Sequence, residues 1–137
     1  VAPLGYLMIL KAKNKINGWA TKLFNLNEVY SEIDEAALLD RKFLAAIKKS
    51  IDDNGMLWPP IVWSQDTFLT YYEEQPQRQD PNKAVKTDLK YRCAIGNNRF
   101  NYAKENNYTA IECVYVSKWQ DKDTVLSITQ MEYCVDF

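Results

Sequence analysis

The residues best suited to chemistry are Gly96, Asn97, Asn98 and Arg99, set between an apolar run (Tyr91-Arg92-Cys93-Ala94-Ile95) and the segment Phe100 to Glu105. A strand that turns directly into a helix leaves the first helical N–H groups without intrahelical acceptors. The positive end of the helix dipole lies at the same place. Phosphate is the guest that such a turn suits. Gly96 permits close backbone approach, Asn97 and Asn98 bring side-chain amides, and Arg99 brings a planar fork matched to phosphate oxygens. The same residues also fit a plain turn in which Asn98 caps the helix and Arg99 pairs with a carboxylate. The tetrapeptide alone does not choose between the two.

What is missing narrows the chemistry. The chain has no histidine, which excludes Ser-His, Cys-His and HExxH mechanisms. Its three cysteines, Cys93, Cys113 and Cys134, cannot all pair within one chain and none forms a C-x-x-C site, so they read as reduced, buried thiols. No ligand set for a resident metal is evident. Proton transfer would fall to carboxylates, and Glu28, Glu32 and Glu35 are the candidates, acting with water and a divalent metal such as Mg2+. Each fits a solvated or capping position at a helix start equally well.

A net charge of -1 and a pI near 5.5 provide no broad field for duplex nucleic acid. The apolar segment Leu4 to Leu10 is too short to span a bilayer and lacks a preceding basic flank, so no membrane partner and a cytoplasmic location are expected. The first 21 residues read as an N-terminal arm or extra strand, and 22–137 as one domain.

The elements around the turn follow from periodicity. Lys22 to Asn27, with Phe24, Leu26 and Val29 as inward residues, suits a short first strand. From Ser31 or Asp34, apolar residues at Leu39, Phe43, Ala46, Ile47 and Ile51 predict an amphipathic helix that ends at Asn54-Gly55. Ile61 to Trp63, Tyr91 to Ile95 and Ile111 to Val116 read as strands of one sheet, with Pro59-Pro60 leading into the first of them. Ser64 to Lys90 is polar and reads as a partly mobile insertion, although Phe68 to Tyr72 could form a short element. Asn106-Asn107 closes the short helix after the turn, and Asp121 or Asp123 begins a last helix that turns Val125, Ile128 and Val135 inward. The fold class is α/β (α+β), a small mixed sheet with packed helices.

The ordered segments DRKFLAAIKKSIDDNGMLWPPIVW and YRCAIGNNRFNYAKENNYTAIECVYV resemble the ParB/sulfiredoxin-like superfamily, which includes the ParB-like nuclease domains. There a helix ending "SI...G...PI.V" precedes a strand, a G-x-x-R turn, a short helix and a closing strand. The resemblance covers about Leu23 to Val116, and the divergent match with its long insertion suggests a phage or mobile-element origin. It implies a nucleotide-phosphate pocket at Gly96, Asn97, Asn98 and Arg99, with Gly55, Trp58 and Pro60 from the facing loop. Trp58 or Tyr91 would stack on a base, and Arg41 and Arg92 would be secondary phosphate contacts. Core packing fits the two rings as well, and surface salt bridges fit the two arginines.

The departures from that pattern also matter. Sulfiredoxins carry their catalytic cysteine directly after the turn glycine, whereas this chain has Asn97, which argues against reductase chemistry. Partition proteins carry acidic and arginine residues inside the turn, whereas Asn97 and Asn98 are neutral. Three functions stay open: a nucleotide- or phosphate-binding domain, a metal-dependent phosphotransferase or nuclease, and a protein-interaction or DNA-tethering module whose contact surface is Tyr71-Tyr72. DNA would be reached only indirectly or through a further domain.

Overall fold

The computed structural model describes residues 8–31, 41–74 and 88–133. Strands β1 (Ile9–Leu10), β2 (Thr21–Asn25), β3 (Val29–Tyr30), β4 (Ile61–Ser64), β5 (Tyr91–Ile95) and β6 (Ala110–Val116) form one mixed sheet in the order β1-β6-β4-β5-β3, with β2 also on β6. Helices α1 (Arg41–Asn54), α2 (Gln65–Glu74), α3 (Asn97–Glu105) and α4 (Trp119–Tyr133) pack against this half-barrel.

Strand β6 organises the sheet because it carries buried apolar residues on both faces, as a strand covered on two sides does. It runs parallel to β1 and β4 (Leu10↔Ile111, Ile61↔Val114) and antiparallel to β2 (Phe24↔Ile111). Its side chains alternate between two cores. Ile111 and Cys113 join Phe24, Ile47 and Ile51 of α1, and Phe100 and Ala103 of α3. Val114 and Val116 join Trp58, Trp63, Phe68 of α2 and Val125 of α4. The sheet therefore lies between an α1/α3 layer and an α2/α4 layer. Burying a side chain such as Phe100, fully enclosed in the first core, is worth roughly 2–3 kcal/mol.

The strands expected at Ile61 to Trp63, Tyr91 to Ile95 and Ile111 to Val116 form as read. Helix α1 ends at Asn54 and Gly55 takes a φ of 76°, while Asn107 closes the segment after α3 with a φ of 61°.

Other expectations change. The run from Lys22 to Asn27 is not strand throughout, because the Asn25 side chain accepts a hydrogen bond from the Asn27 N–H at 2.9 Å. That turn places Leu26–Glu28 in a short 3-10 helix and sends Val29–Tyr30 to the far side of the sheet as β3, parallel to β5. Between β4 and β5, Gln65–Glu74 is a helix, anchored by Phe68 and by Tyr71 and Tyr72 packed on the second core. The last helix begins at Trp119, ahead of the expected Asp121 or Asp123, and the Ser117 hydroxyl donates to the Asp121 carboxylate at 3.4 Å. Of the two expected helix starts, Ser31 is described and is not helical, its hydroxyl accepting from the Lys104 ammonium at 2.7 Å, while Asp34, the residues 75–87 and Val135 lie outside the described residues.

Candidate functional site

Strand β5 ends at Ile95 and α3 begins at Asn97, so Gly96 alone makes the reversal. It does so with a φ of 104°, a region that costs an L side chain strain and glycine little. Space demands glycine as well. A Cβ on Gly96 would lie 2.8 Å from Cβ of Pro60 and 3.2 Å from Cζ of Arg99. The turn thus rests on Pro60 and on the guanidinium three residues ahead of it. Gly96 is also the N-cap of α3, with its carbonyl accepting from the Arg99 and Phe100 N–H groups at 3.0 and 3.2 Å. Asn98, the cap in the plain-turn alternative, lies inside the helix instead.

Arg99 is not a surface fork. It is 6% exposed, and its Nη1 donates to the Trp58 carbonyl at 2.8 Å. The guanidinium therefore ties the first turn of α3 to the loop between α1 and β4. Gly55, Trp58 and Arg99 line the same small void, together with Ile51 and Met56. That void holds about 10 Å³, room for roughly one water. Gly55, Trp58, Pro60, Gly96 and Arg99 all converge here, though they came from separate parts of the sequence. Trp58 contributes its carbonyl, while its indole is buried in the second core.

Helix α3 then runs back along the sheet beside α1. The Tyr102 hydroxyl donates to the Asp52 carboxylate at 2.6 Å and fixes the spacing of the two helices. That bond, with the ring's burial, pushes the Tyr102 phenol up to about 12. Beyond the turn the two helices leave a groove of about 180 Å³ lined by Ala45, Lys48, Asn98, Asn101 and Glu105 above a floor of Ile47 and Tyr102. Lys48, Asn101 and Glu105 were missed by the sequence reading. The signal was present in the i, i+3, i+7 spacing of Asn98, Asn101 and Glu105, but it needed α1 beside it to define a groove.

The remaining candidates lie elsewhere. Val29 is paired with Tyr91 and Tyr30 with Arg92, so Glu28 sits at the opposite end of β5 from Gly96. The five residues of β5 separate them by about 16 Å. Glu32 and Glu35 lie outside the described residues, as does the side chain of Arg41. Among the described residues, no three acidic or thiol side chains converge as metal ligands.

Arg92 is buried at 4% exposure, with its guanidinium 3.8 Å from the Phe68 ring centre and 4.8 Å from that of Tyr30. Its burial beneath these rings does not fit the exposed position expected of it. Tyr91 packs edge-on against Phe24 at 5.1 Å, beneath the Lys22 ammonium. Tyr71 packs on Trp63 and Trp119, and Tyr72 on Phe68, so both rings are half-buried against the second core.

Cys93 and Cys113 are buried free thiols, and Cys134 lies outside the described residues. Burial pushes Cys93 up to about 12 against the lowering fields of Arg99, Lys104 and Arg92. A thiol so far above neutrality holds almost no thiolate and is a poor nucleophile.

Fold and site together define a mixed-sheet α+β domain in which a glycine-arginine turn is seated on a proline loop. No family model matches the chain, and no curated protein matches it. Among solved structures it is distantly similar in fold to the crystal structure of sulfiredoxin from Arabidopsis thaliana. The identity is 13% and the TM-score 0.46, and the match covers 78% of this chain and 97% of that one. Among the described residues, no helix is long and apolar enough to cross a membrane.

Proposed function

We propose that this protein binds phosphate groups, as inorganic phosphate or as part of a nucleotide, at the Gly96 turn. The observation that carries this reading is the seating of Gly96 directly over the Arg99 guanidinium, 3.2 Å from where a Cβ would be. Partial positive charge at the start of α3 and the full charge of the buried guanidinium act on the same point, and a low-dielectric surround strengthens both. Asn97 and Asn98 flank the anion with their amides. Arg99 acts from behind the turn, while Gly55, Trp58 and Pro60 shape the seat. The void beneath it is too small for phosphate, so the anion docks on the outer side of the turn.

The geometry supports binding over catalysis. Glu28, the described carboxylate among the three candidates, lies a strand length away. The interaction-module reading has less support, because one side of Tyr71 and Tyr72 is packed on the second core. The test is thermal unfolding with inorganic phosphate, ADP, ATP and CTP, each with and without Mg2+. A ligand at a hundred times its Kd should add about 2.7 kcal/mol of stability. Unchanged melting with all four would refute the phosphate site.

A further inference from the structure

The groove between α1 and α3 begins at Asn98, the residue that the proposed phosphate seat shares, and continues past Asn101 to Glu105. We infer that this groove takes a vicinal diol, so that the ligand is a phosphorylated polyol whose phosphate sits at the Gly96 turn; this rests on the phosphate reading above.

Reach, size and chemistry each support that class. Asn98 to Glu105 spans about 10 Å along the helix, the length of a phosphate joined to one sugar ring. The groove's volume of about 180 Å³ is below the range of roughly 300–1,000 Å³ typical of pockets for larger ligands, so one small ring fits.

The polar lining decides what that ring is. A carboxylate (Glu105) accepts from hydroxyls, an ammonium (Lys48) donates to them, and the Asn101 amide does both. Among the described residues, no hydrogen bond occupies these three groups. A nucleobase is disfavoured because it needs an aromatic face to stack on. Among the described side chains, the only ring in the lining is that of Tyr102, which is 8% exposed and has its hydroxyl committed to Asp52.

A sugar phosphate and the ribose-phosphate part of a nucleotide share this chemistry. Calorimetric titration of the full chain with inorganic phosphate, ribose 5-phosphate, 2-deoxyribose 5-phosphate and AMP separates the cases. Ribose 5-phosphate should bind at least tenfold more tightly than phosphate, and the 2-deoxy sugar, which lacks the diol, should lose most of that gain. Glu105→Gln and Asn101→Ala should abolish the gain while leaving phosphate affinity unchanged, which also shows that both variants are folded. AMP binding more tightly than ribose 5-phosphate would assign the diol to a nucleotide, and equal or weaker binding would assign it to a free sugar phosphate.

Phosphate and ribose 5-phosphate of equal affinity would overturn the diol inference and leave the phosphate site standing. A gain that survives both substitutions would likewise overturn the groove assignment. Absence of binding by all four probes would overturn the phosphate site and this inference together.

Discussion

Arg99 donates from Nη1 to the carbonyl of Trp58 at 2.8 Å, across a sequence separation of 41 residues. The bond joins the helix that carries the turn to the loop that seats it, so one side chain serves both the local structure and the proposed site. Removing a buried, charge-assisted donor leaves the Trp58 carbonyl buried without that bond. Arg99→Ala should therefore cost roughly 2–3 kcal/mol of stability in urea unfolding and weaken phosphate binding as well. Arg99→Lys should recover part of both, since a point charge lacks the planar fork. A midpoint unchanged in Arg99→Ala would show that the bond does not fasten the loop.

Gly96 and Gly18 both have positive φ, at 104° and 84°, but only Gly96 is hemmed in. A Cβ at Gly18 would meet nothing within 4 Å, whereas one at Gly96 would collide with Pro60. Gly18→Ala should cost about 1 kcal/mol through backbone strain alone. Gly96→Ala should cost clearly more and should weaken phosphate binding, because the turn must lift off its seat. Equal losses in the two variants would mean that conformation, and not contact with Pro60, explains the glycine.

Cys93, normally near 9, and Tyr102, normally near 10, are both raised to about 12 in the folded protein. A raised acid holds its proton in the native state and releases it more readily when unfolded. Its contribution is complete below the unfolded value and is lost as pH rises through the folded one. Stability should therefore fall across pH 9 to 12, and the Tyr102→Phe variant should fall less steeply above pH 10. At neutral pH, Cys93 and Cys113 should resist alkylation until the protein unfolds, as read by mass spectrometry. Rapid labelling of either thiol in the folded protein would contradict their burial.

The sheet was legible in the sequence because its strands are short, mostly apolar runs, as at Ile111 to Val116, where Glu112 is the one charged residue. Helix α1 was legible from the spacing of its apolar residues and the Asn54-Gly55 stop. Helix α2 was less so, because it is anchored by Phe68, Tyr71 and Tyr72 rather than by aliphatic residues and is otherwise polar. The convergence of the turn with the Pro60 loop could be expected from the ordered motifs. The burial of Arg99 could not, since an arginine beside a helix start looks the same in sequence whether its guanidinium points outward or folds beneath the glycine. Arg92 was misjudged for a related reason. Its aromatic partners, Tyr30 and Phe68, are brought to it only by the β3–β5 pairing and by helix α2.

That environment supports a last prediction. The Arg92 guanidinium lies over the rings of Tyr30 in β3 and Phe68 in α2, on the face of the sheet opposite α3. A desolvated cation over an aromatic ring is worth roughly 2 kcal/mol, and a flat guanidinium can stack where an ammonium cannot. Arg92→Lys should therefore lose about 1–2 kcal/mol in urea unfolding. In a double-mutant cycle with Phe68→Leu, the two substitutions should couple by about 1 kcal/mol, because each removes the same contact. Phosphate affinity should stay the same in Arg92→Lys, since this arginine does not reach the Gly96 turn. Additive losses in the cycle would show that stacking contributes nothing beyond burial. A drop in phosphate affinity with no change in stability would restore Arg92 as a ligand contact.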